Sequence, residues 1–289
     1  MSANQLPMSG ADESARKTIV ITGASDGIGA AAAEQLQAAG HEVVIVGRSS
    51  GKTQAVADAL HVRSYTADFS ELSSVRSLAA RLRDDYPRID VLANNAGGVF
   101  GDRKKTIDGF ERTIQVNHLA PFLLTHLLMP TLLESRAVVI QTSSIAARLY
   151  GNLDLGDVNN ERHFSANKAY GDSKLANILF TKELHRLYRA KGLRAAAFHP
   201  GLIRSSFASG TTSLSMRMLY SNPLTKGLLK TAVEGADQLR WLSEAPEGAA
   251  WLSGEYYEKR AVPKRVNPQI RDAQLARSLW AKSEQLLGL

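Results

Sequence analysis

Tyr170 and Lys174 stand four residues apart in the stretch Tyr170-Gly171-Asp172-Ser173-Lys174, at the head of a long helical pattern. Positions i and i+4 share one helix face, so the phenol and the ammonium can enter the same pocket. A nearby cation favours phenolate over phenol and draws a tyrosine pKa down from about 10 toward neutrality. Tyr170 could then give or take a proton at physiological pH. The spacing alone also fits an exposed pair on a solvated helix. What decides between the two is whether the rest of the chain builds a site around the pair.

The 289-residue chain, 44% hydrophobic and 22% charged, has ordinary globular composition. Residues 1–16 are polar and small, lack the apolar core of a signal peptide, and read as a flexible tail. Residues 17–289 read as one domain. No window has the roughly 18 uninterrupted apolar residues of a membrane span, and with no export signal the expected location is cytoplasmic. Without cysteine, disulfides, thiolate metal sites and thiol nucleophiles are excluded. The seven histidines show no ligand spacing such as His-x-x-x-His, so no metal is expected. The net charge of +7 is spread along the chain and suits an anionic ligand. Nucleic acid is not expected as a partner, because no basic stripe interleaved with aromatics is present.

Lys17 to Thr22 is a β-branched run that stops at glycine, the pattern of a buried strand. Gly23-Ala24-Ser25-Asp26-Gly27-Ile28-Gly29 follows, then the helix-forming run Ala30 to Ala39. Between a strand and a helix, such glycines let the backbone approach a pyrophosphate, and the helix N-terminus offers free N–H groups. A plain tight turn is the competing reading. A second strand, His41 to Val46, ends at Gly47-Arg48. An acidic residue there would hold ribose hydroxyls; this chain has Arg48, with Lys52 nearby and no carboxylate. An arginine can grip a 2′-phosphate bidentately, so NADP(H) is expected over NAD(H). A solvated loop charge is the bland alternative.

A third strand, Val62 to Thr66, ends at Ala67-Asp68-Phe69. Asp68 could accept a hydrogen bond from an adenine amino group or cap the helix starting near Ser73. Ile89 to Ala93 is a fourth strand, running into Asn94-Asn95-Ala96-Gly97-Gly98, a stretch suited to close backbone contact with a ligand. A helical stretch then carries Asn117, whose buried amide must find partners. Ala137 to Thr142, a fifth strand, ends in Ser143-Ser144, and an irregular connection leads to the Tyr170 helix. Leu193 to Phe198 is a sixth strand, ending in His199-Pro200-Gly201-Leu202. From 205 to 230 the composition shifts to serine, threonine and methionine with scattered apolar residues. This reads as a flap whose apolar residues would meet a hydrophobic substrate, or equally as ordinary helix packing. Ala232 to Leu242 is helical, Gly254 to Tyr257 forms a short last strand, and Arg271 to Leu287 is a closing amphipathic helix.

The alternation predicts an α/β fold: a single doubly wound Rossmann-type domain, its parallel sheet flanked by helices. The glycine turn, Arg48, Asp68, Asn95, Ser143-Ser144 and Pro200 each follow the carboxyl end of a predicted strand. That edge is where open parallel sheets bind ligands.

The motif set resembles the short-chain dehydrogenase/reductase family across residues 17–289. The matching motifs are Thr22-Gly23-x-x-x-Gly27-x-Gly29, Asp68, Asn94-Asn95-Ala96-Gly97, Asn117, Ser144, Tyr170-x-x-x-Lys174 and Pro200-Gly201. Gly156-Asp157-Val158-Asn159, the run from Ala169 to Asn177, and Ser278-Leu279-Trp280 look like the retinol-dehydrogenase-like branch. The resemblance implies an oxidoreductase that moves a hydride between a nicotinamide and an alcohol or carbonyl carbon of a small, lipophilic molecule. Tyr170 would be the general acid/base, and Lys174 would lower its pKa and grip the nicotinamide ribose. Ser144, rather than its neighbour Ser143, would hydrogen-bond the substrate oxygen, and Asn117 would hold a water relaying protons to Lys174. The cofactor set is Gly23, Ser25, Asp26, Gly27, Ile28, Gly29, Arg48, Asp68, Phe69, Asn95, Ala96, Gly97, Tyr170, Lys174, Pro200, Ile203 and Ser205. Ser205 supplies a hydroxyl where the motif has threonine. Family habit points to a homo-oligomer. The competing functions are a catalytically silent NADP(H)-binding regulator and a nucleotide-sugar epimerase or dehydratase.

Overall fold

Seven parallel strands make one sheet in a computed structural model that describes residues 16–203 and 230–289. Ser205 and all of the 205–230 stretch except Lys230 lie outside the described residues, as do residues 1–15. The strands are β1 (Thr18–Thr22), β2 (Glu42–Gly47), β3 (Arg63–Thr66), β4 (Val91–Asn94), β5 (Val138–Thr142), β6 (Arg194–His199) and β7 (Tyr256–Glu258). Their spatial order is β3-β2-β1-β4-β5-β6-β7. The order reverses direction between β1 and β4, which opens a crevice at the carboxyl edge there.

The central strands are apolar on both faces because helices cover both. Side chains alternate across a strand, and the core divides accordingly. Ile19, Ile21, Val43, Ile45, Val91 and Ile140 pack on one side with α1 (Gly27–Ala38), α2 (Ser50–Leu60) and α9 (Ala232–Glu244). Val20, Val44, Leu92 and Val139 face the other way, toward α3 (Leu72–Asp85), α5 (Ala120–Leu127), α8 (Ala166–Tyr188) and α10 (Ala273–Leu287). Short segments α4 (Arg112–Ile114), α6 (Met129–Glu134) and α7 (Ala146–Leu149) complete the helices used below. No helix among the described residues is long and apolar enough to cross a membrane.

Several boundaries differ from the sequence reading for identifiable reasons. Strand β6 runs one residue further, to His199, which pairs with Glu258 of β7. Gly254 is not part of β7: its φ of +88° makes a turn whose N–H donates to the Ala195 carbonyl. Asp68 does not cap α3. Its Oδ1 accepts from the Ser70 N–H (2.9 Å) and hydroxyl (2.7 Å), while the first helical N–H, Leu72, is taken by Asp108 from a distant loop. The stretch from Gln115 to Leu119 is a π-turn between α4 and α5. Pro121 has no N–H to offer the Asn117 carbonyl four residues back, and the wider i→i+5 turn is the usual response to such a gap.

The irregular connection before α8 is fixed by polar contacts from afar. The Asp172 carboxylate accepts from the Asn152 N–H at 2.7 Å and from the Lys168 ammonium. Asn267 Nδ2 donates to the carbonyls of Ala147 (2.8 Å) and Gly151 (2.7 Å). Gln269 bonds both the N–H and the carbonyl of Leu153. The wall of the site is thereby tied both to α8 and to the segment before α10.

Candidate active site

The residues expected to do chemistry converge on one cleft of about 570 Å³ along the carboxyl edge of the sheet. The size lies within the range of small-molecule sites. Gly23, Ser25, Asp26, Gly27 and Ile28 line one end, with Arg48, Asp68 and Phe69 beside them. Asn95, Ala96 and Gly97 form the middle; Ser144, Tyr170, Lys174, Pro200 and Ile203 line the other end. Two members of the expected set sit behind this surface. Gly29 supports the turn from within, and Asn117 lies beneath Gly97.

The glycine turn is shaped by close approach. Gly23 has φ +67°, and a Cβ there would lie 2.7 Å from Ala96 Cα. A Cβ on Gly29 would lie 2.4 Å from the Gly23 carbonyl oxygen. Any side chain at either position would collide with neighbouring backbone and force the turn to shift. The N-cap of α1 is Asp26, whose carboxylate accepts from the Gly27 N–H at 2.7 Å. The exposed cations Arg48 and Lys52 stand on the cleft wall just past β2. A helix N-terminus approached by bare backbone, with two cations alongside, is a chemical fit for a phosphorylated dinucleotide.

The strand ends are locked to one another by Thr22 and Asn95. The Thr22 hydroxyl accepts from the N–H groups of Asn95 and Ala96, both at 3.0 Å, and donates to the Ala93 carbonyl at 3.2 Å. Asn95 Nδ2 donates to the carbonyls of Thr22 and Gly23, and its Oδ1 accepts from the Thr142 hydroxyl at 3.2 Å. Thr22→Val keeps the shape but leaves the Ala96 N–H without its partner, while the Asn95 N–H keeps the Ala93 carbonyl at 2.9 Å. We expect a loss of about 1–3 kcal/mol in urea unfolding, largely restored by Thr22→Ser.

Asn117 is fully buried on the π-turn and clamps the middle of the cleft. Its Oδ1 accepts from the Gly98 N–H (2.8 Å), and its Nδ2 donates to the Gly98 carbonyl and the Ser173 hydroxyl, each at 3.0 Å. A Cβ on Gly97 would lie 3.0 Å from Asn117 Oδ1 and 3.2 Å from Lys174 Nζ. Asn117, Gly97 and the lysine head are therefore packed together.

Helix α8 starts four residues before Tyr170, capped by the Ser165 hydroxyl. Tyr170 is 7% exposed on the cleft wall, and Lys174 Nζ lies 5.6 Å from its ring centroid. The ammonium donates to the Thr142 carbonyl at 2.8 Å. Burial pushes the Lys174 pKa down to about 7, because no carboxylate compensates its desolvation. The cation expected to act on Tyr170 is thus itself poised near neutrality.

The two serines after β5 separate by environment. Ser143 is buried, and its hydroxyl donates to the Lys174 carbonyl at 2.7 Å, a structural tie to α8. Ser144 is half-buried in the cleft; its oxygen accepts from the Ala146 N–H at 3.2 Å and keeps its own O–H to donate. Thr142 and Ser173 were not legible as site residues, and the structural ties of Thr22 and Ser143 were not foreseen. Their signal was position alone: threonine or serine at a strand end or next to Lys174.

The chain matches the family model described as short chain dehydrogenase over residues 17–213. A Streptomyces sp. (strain C5) protein named "Putative daunorubicin C-13 ketoreductase DnrU" is 41% identical, covering 94% of this chain and 93% of that protein. Human retinol dehydrogenase 13 is 35% identical, covering 94% of this chain and 85% of that protein. Among solved structures, an uncharacterised protein from Mycobacterium paratuberculosis superposes with a TM-score of 0.75 at 34% identity. That match covers 95% of this chain and 94% of that one.

Proposed function

The chain belongs to the short-chain dehydrogenase family, and from that premise we propose an NADP(H)-dependent oxidoreductase of lipophilic carbonyl and alcohol compounds, with Tyr170 as its general acid/base. The observation that carries the reading is the convergence of Tyr170, Lys174 and Ser144 at one end of a cleft whose other end holds the glycine turn and Arg48. Bound NADP(H) would supply the hydride chemistry that no side chain in the cleft can perform. Cytoplasmic residence and self-association belong to the same proposal.

In the reducing direction the Tyr170 hydroxyl gives its proton to the substrate oxygen, and the Ser144 hydroxyl donates a hydrogen bond to that oxygen as charge develops on it. Lys174 in its charged form favours the phenolate left behind. Asn117 fixes Gly98 and Ser173 around the lysine, and water held there would return the proton. Gly23, Gly27 and Gly29 would admit the pyrophosphate; Asn95, Ala96, Gly97, Pro200 and Ile203 would border the nicotinamide end. Asp68 and Phe69 would border the adenine, and Arg48 the 2′-phosphate.

A lipophilic substrate is supported by the cleft rim. Leu149, Tyr150 and Leu202 are large side chains left 57%, 43% and 40% exposed, and all three line the cleft. Val99 and Phe100 extend that surface inward. Exposed apolar residues grouped at a pocket mouth mark a binding surface rather than random exposure. The relatives' names, a ketoreductase and a retinol dehydrogenase, agree in reaction type.

The cofactor assignment is tested by Arg48→Ala in parallel assays with NADPH and NADH. A charge-assisted contact of this kind contributes about 1.5–3 kcal/mol, so KM for NADPH should rise roughly 10- to 100-fold while KM for NADH barely moves. A wild-type enzyme that oxidises NADH faster than NADPH would contradict the assignment.

A further inference from the structure

His199 has no role in the chemistry above, yet it lines the same cleft. It ends β6, where Phe198 pairs with Thr142 and the Ser143 N–H donates to the Phe198 carbonyl at 2.8 Å. The next residues along, His199 and Ser143, are therefore neighbours at the sheet edge. Phe198 packs on the α1 and α9 side, whereas Ala197 packs on the α8 side. By alternation the His199 side chain stands on the α8 side, the face that carries Tyr170. Its backbone is held from below, where the Gln238 amide donates to the His199 carbonyl.

The ring offers one nitrogen to the cleft and hides the other. Nδ1 is buried and has no hydrogen-bond partner among the described residues. Burial, reinforced by the cations Arg148 and Lys230, pushes the His199 pKa down to about 4, so the ring is neutral and carries a single N–H. A proton on Nδ1 would bury a donor with no acceptor, the costlier kind of orphan. The proton therefore belongs on Nε2, which directs an N–H donor toward the cleft. Val99, Phe100, Leu149 and Leu202 make much of the surrounding lining apolar, and no described side chain hydrogen-bonds Nε2.

We infer that His199 is a specificity-determining donor: it selects, among apolar carbonyl compounds, those bearing a second acceptor oxygen close to the reacting carbonyl. This rests on the oxidoreductase reading and narrows its substrate class to oxygenated ketones such as α-hydroxy ketones. A site with a buried donor discriminates against an analogue lacking the acceptor, because the donor is then left unpaired.

The test uses two aryl ketones of nearly equal shape, 2-hydroxyacetophenone and propiophenone, which differ by a hydroxyl in place of a methyl. The ratio of their kcat/KM values is measured for the wild type, His199→Leu and His199→Gln. Intrinsic reactivity cancels when the ratios are compared between proteins. The wild-type preference for the hydroxy ketone should fall about tenfold in His199→Leu, chiefly through KM, the size expected for one lost hydrogen bond. His199→Gln, whose amide N–H can replace the imidazole donor, should recover most of it. NADPH binding, followed by its fluorescence, separates loss of the donor from damage to the fold. The inference is overturned if both ketones lose activity equally in His199→Leu, if the ratio is unchanged, or if glutamine behaves as leucine. Turnover of other carbonyls but of neither ketone would also overturn it. Failure to reduce any carbonyl would instead sink the oxidoreductase reading on which it stands.

Discussion

Tyr170→Phe is expected to lower kcat/KM for a carbonyl substrate by roughly 10²- to 10⁴-fold, the range for loss of a positioned general acid. Phenylalanine fills the same volume on α8, and the ring is only 7% exposed, so the thermal midpoint should stay close to wild type. NADPH affinity should fall far less than kcat/KM, because Tyr170 is one of many residues in the cofactor set but the only proposed proton donor. The result separates this account from that of a silent cofactor-binding regulator, in which the substitution would have no turnover to remove. Measured together, a large loss in kcat/KM and an unchanged fold would assign the proton to Tyr170.

Lys174→Met should cost as much and should differ in its pH behaviour. The methionine removes the charge that favours phenolate and the ammonium proposed for the ribose, so activity should fall by roughly 10²-fold or more while KM for NADPH rises. Stability should move the other way at low pH. The folded-state pKa of Lys174, about 7, lies below its ordinary value of 10.5. Below pH 7 both folded and unfolded chains hold the proton, and the full cost of burying the cation is present. Between about pH 7 and 10.5 the unfolded chain binds more protons than the folded one, so wild-type stability rises with pH across that window. Relative to Lys174→Met, which has nothing to titrate there, the wild type should gain stability steadily from pH 7 to pH 10 in denaturant melts. A difference that stays flat with pH would mean that the ammonium is not desolvated as the burial implies.

Much of this architecture was legible because it is local. A β-branched run, a glycine turn and an alanine-rich helix are contiguous, and so are Tyr170 and Lys174; their geometry follows from helix and strand periods. The placement of ligand residues at one sheet edge follows from parallel topology, and the cleft collects them there. What was not legible depends on distant partners. Ser143 and Ser144 are alike as residues; the family resemblance prefers Ser144, and the physical reason is the Lys174 carbonyl, reached across the sheet edge, that takes the Ser143 hydroxyl. Asp68 reads equally as an adenine partner or a cap, and the second reading fails because Asp108, from the loop before α4, takes the Leu72 N–H that opens α3. The π-turn at Asn117 could have been suspected from Pro121, since a missing N–H four residues on is a sequence fact with a structural consequence. The anchoring of the cleft wall by Asn267 and Gln269 had no local signal, because each reaches more than a hundred residues back along the chain.

The same distinction applies to His199. In sequence it is a polar residue ending an apolar run, and a strand that stops at Phe198 leaves its direction undefined. One more residue of pairing with β7 fixes its side, and that side is the one Tyr170 occupies.

The central claim, reduction of a carbonyl by hydride from NADPH with Tyr170 supplying the proton, is tested most directly by isotope tracing. The protein is incubated with an aryl ketone and NADPH deuterated at both C4 positions, and the product alcohol is analysed by mass spectrometry and NMR. The account predicts one deuterium on the carbinol carbon and one NADP⁺ formed per alcohol, with labelled alcohol and NADP⁺ forming together at a rate roughly 10²- to 10⁴-fold lower in Tyr170→Phe. An alcohol without deuterium, or NADPH that binds and is never consumed with any carbonyl offered, would contradict it.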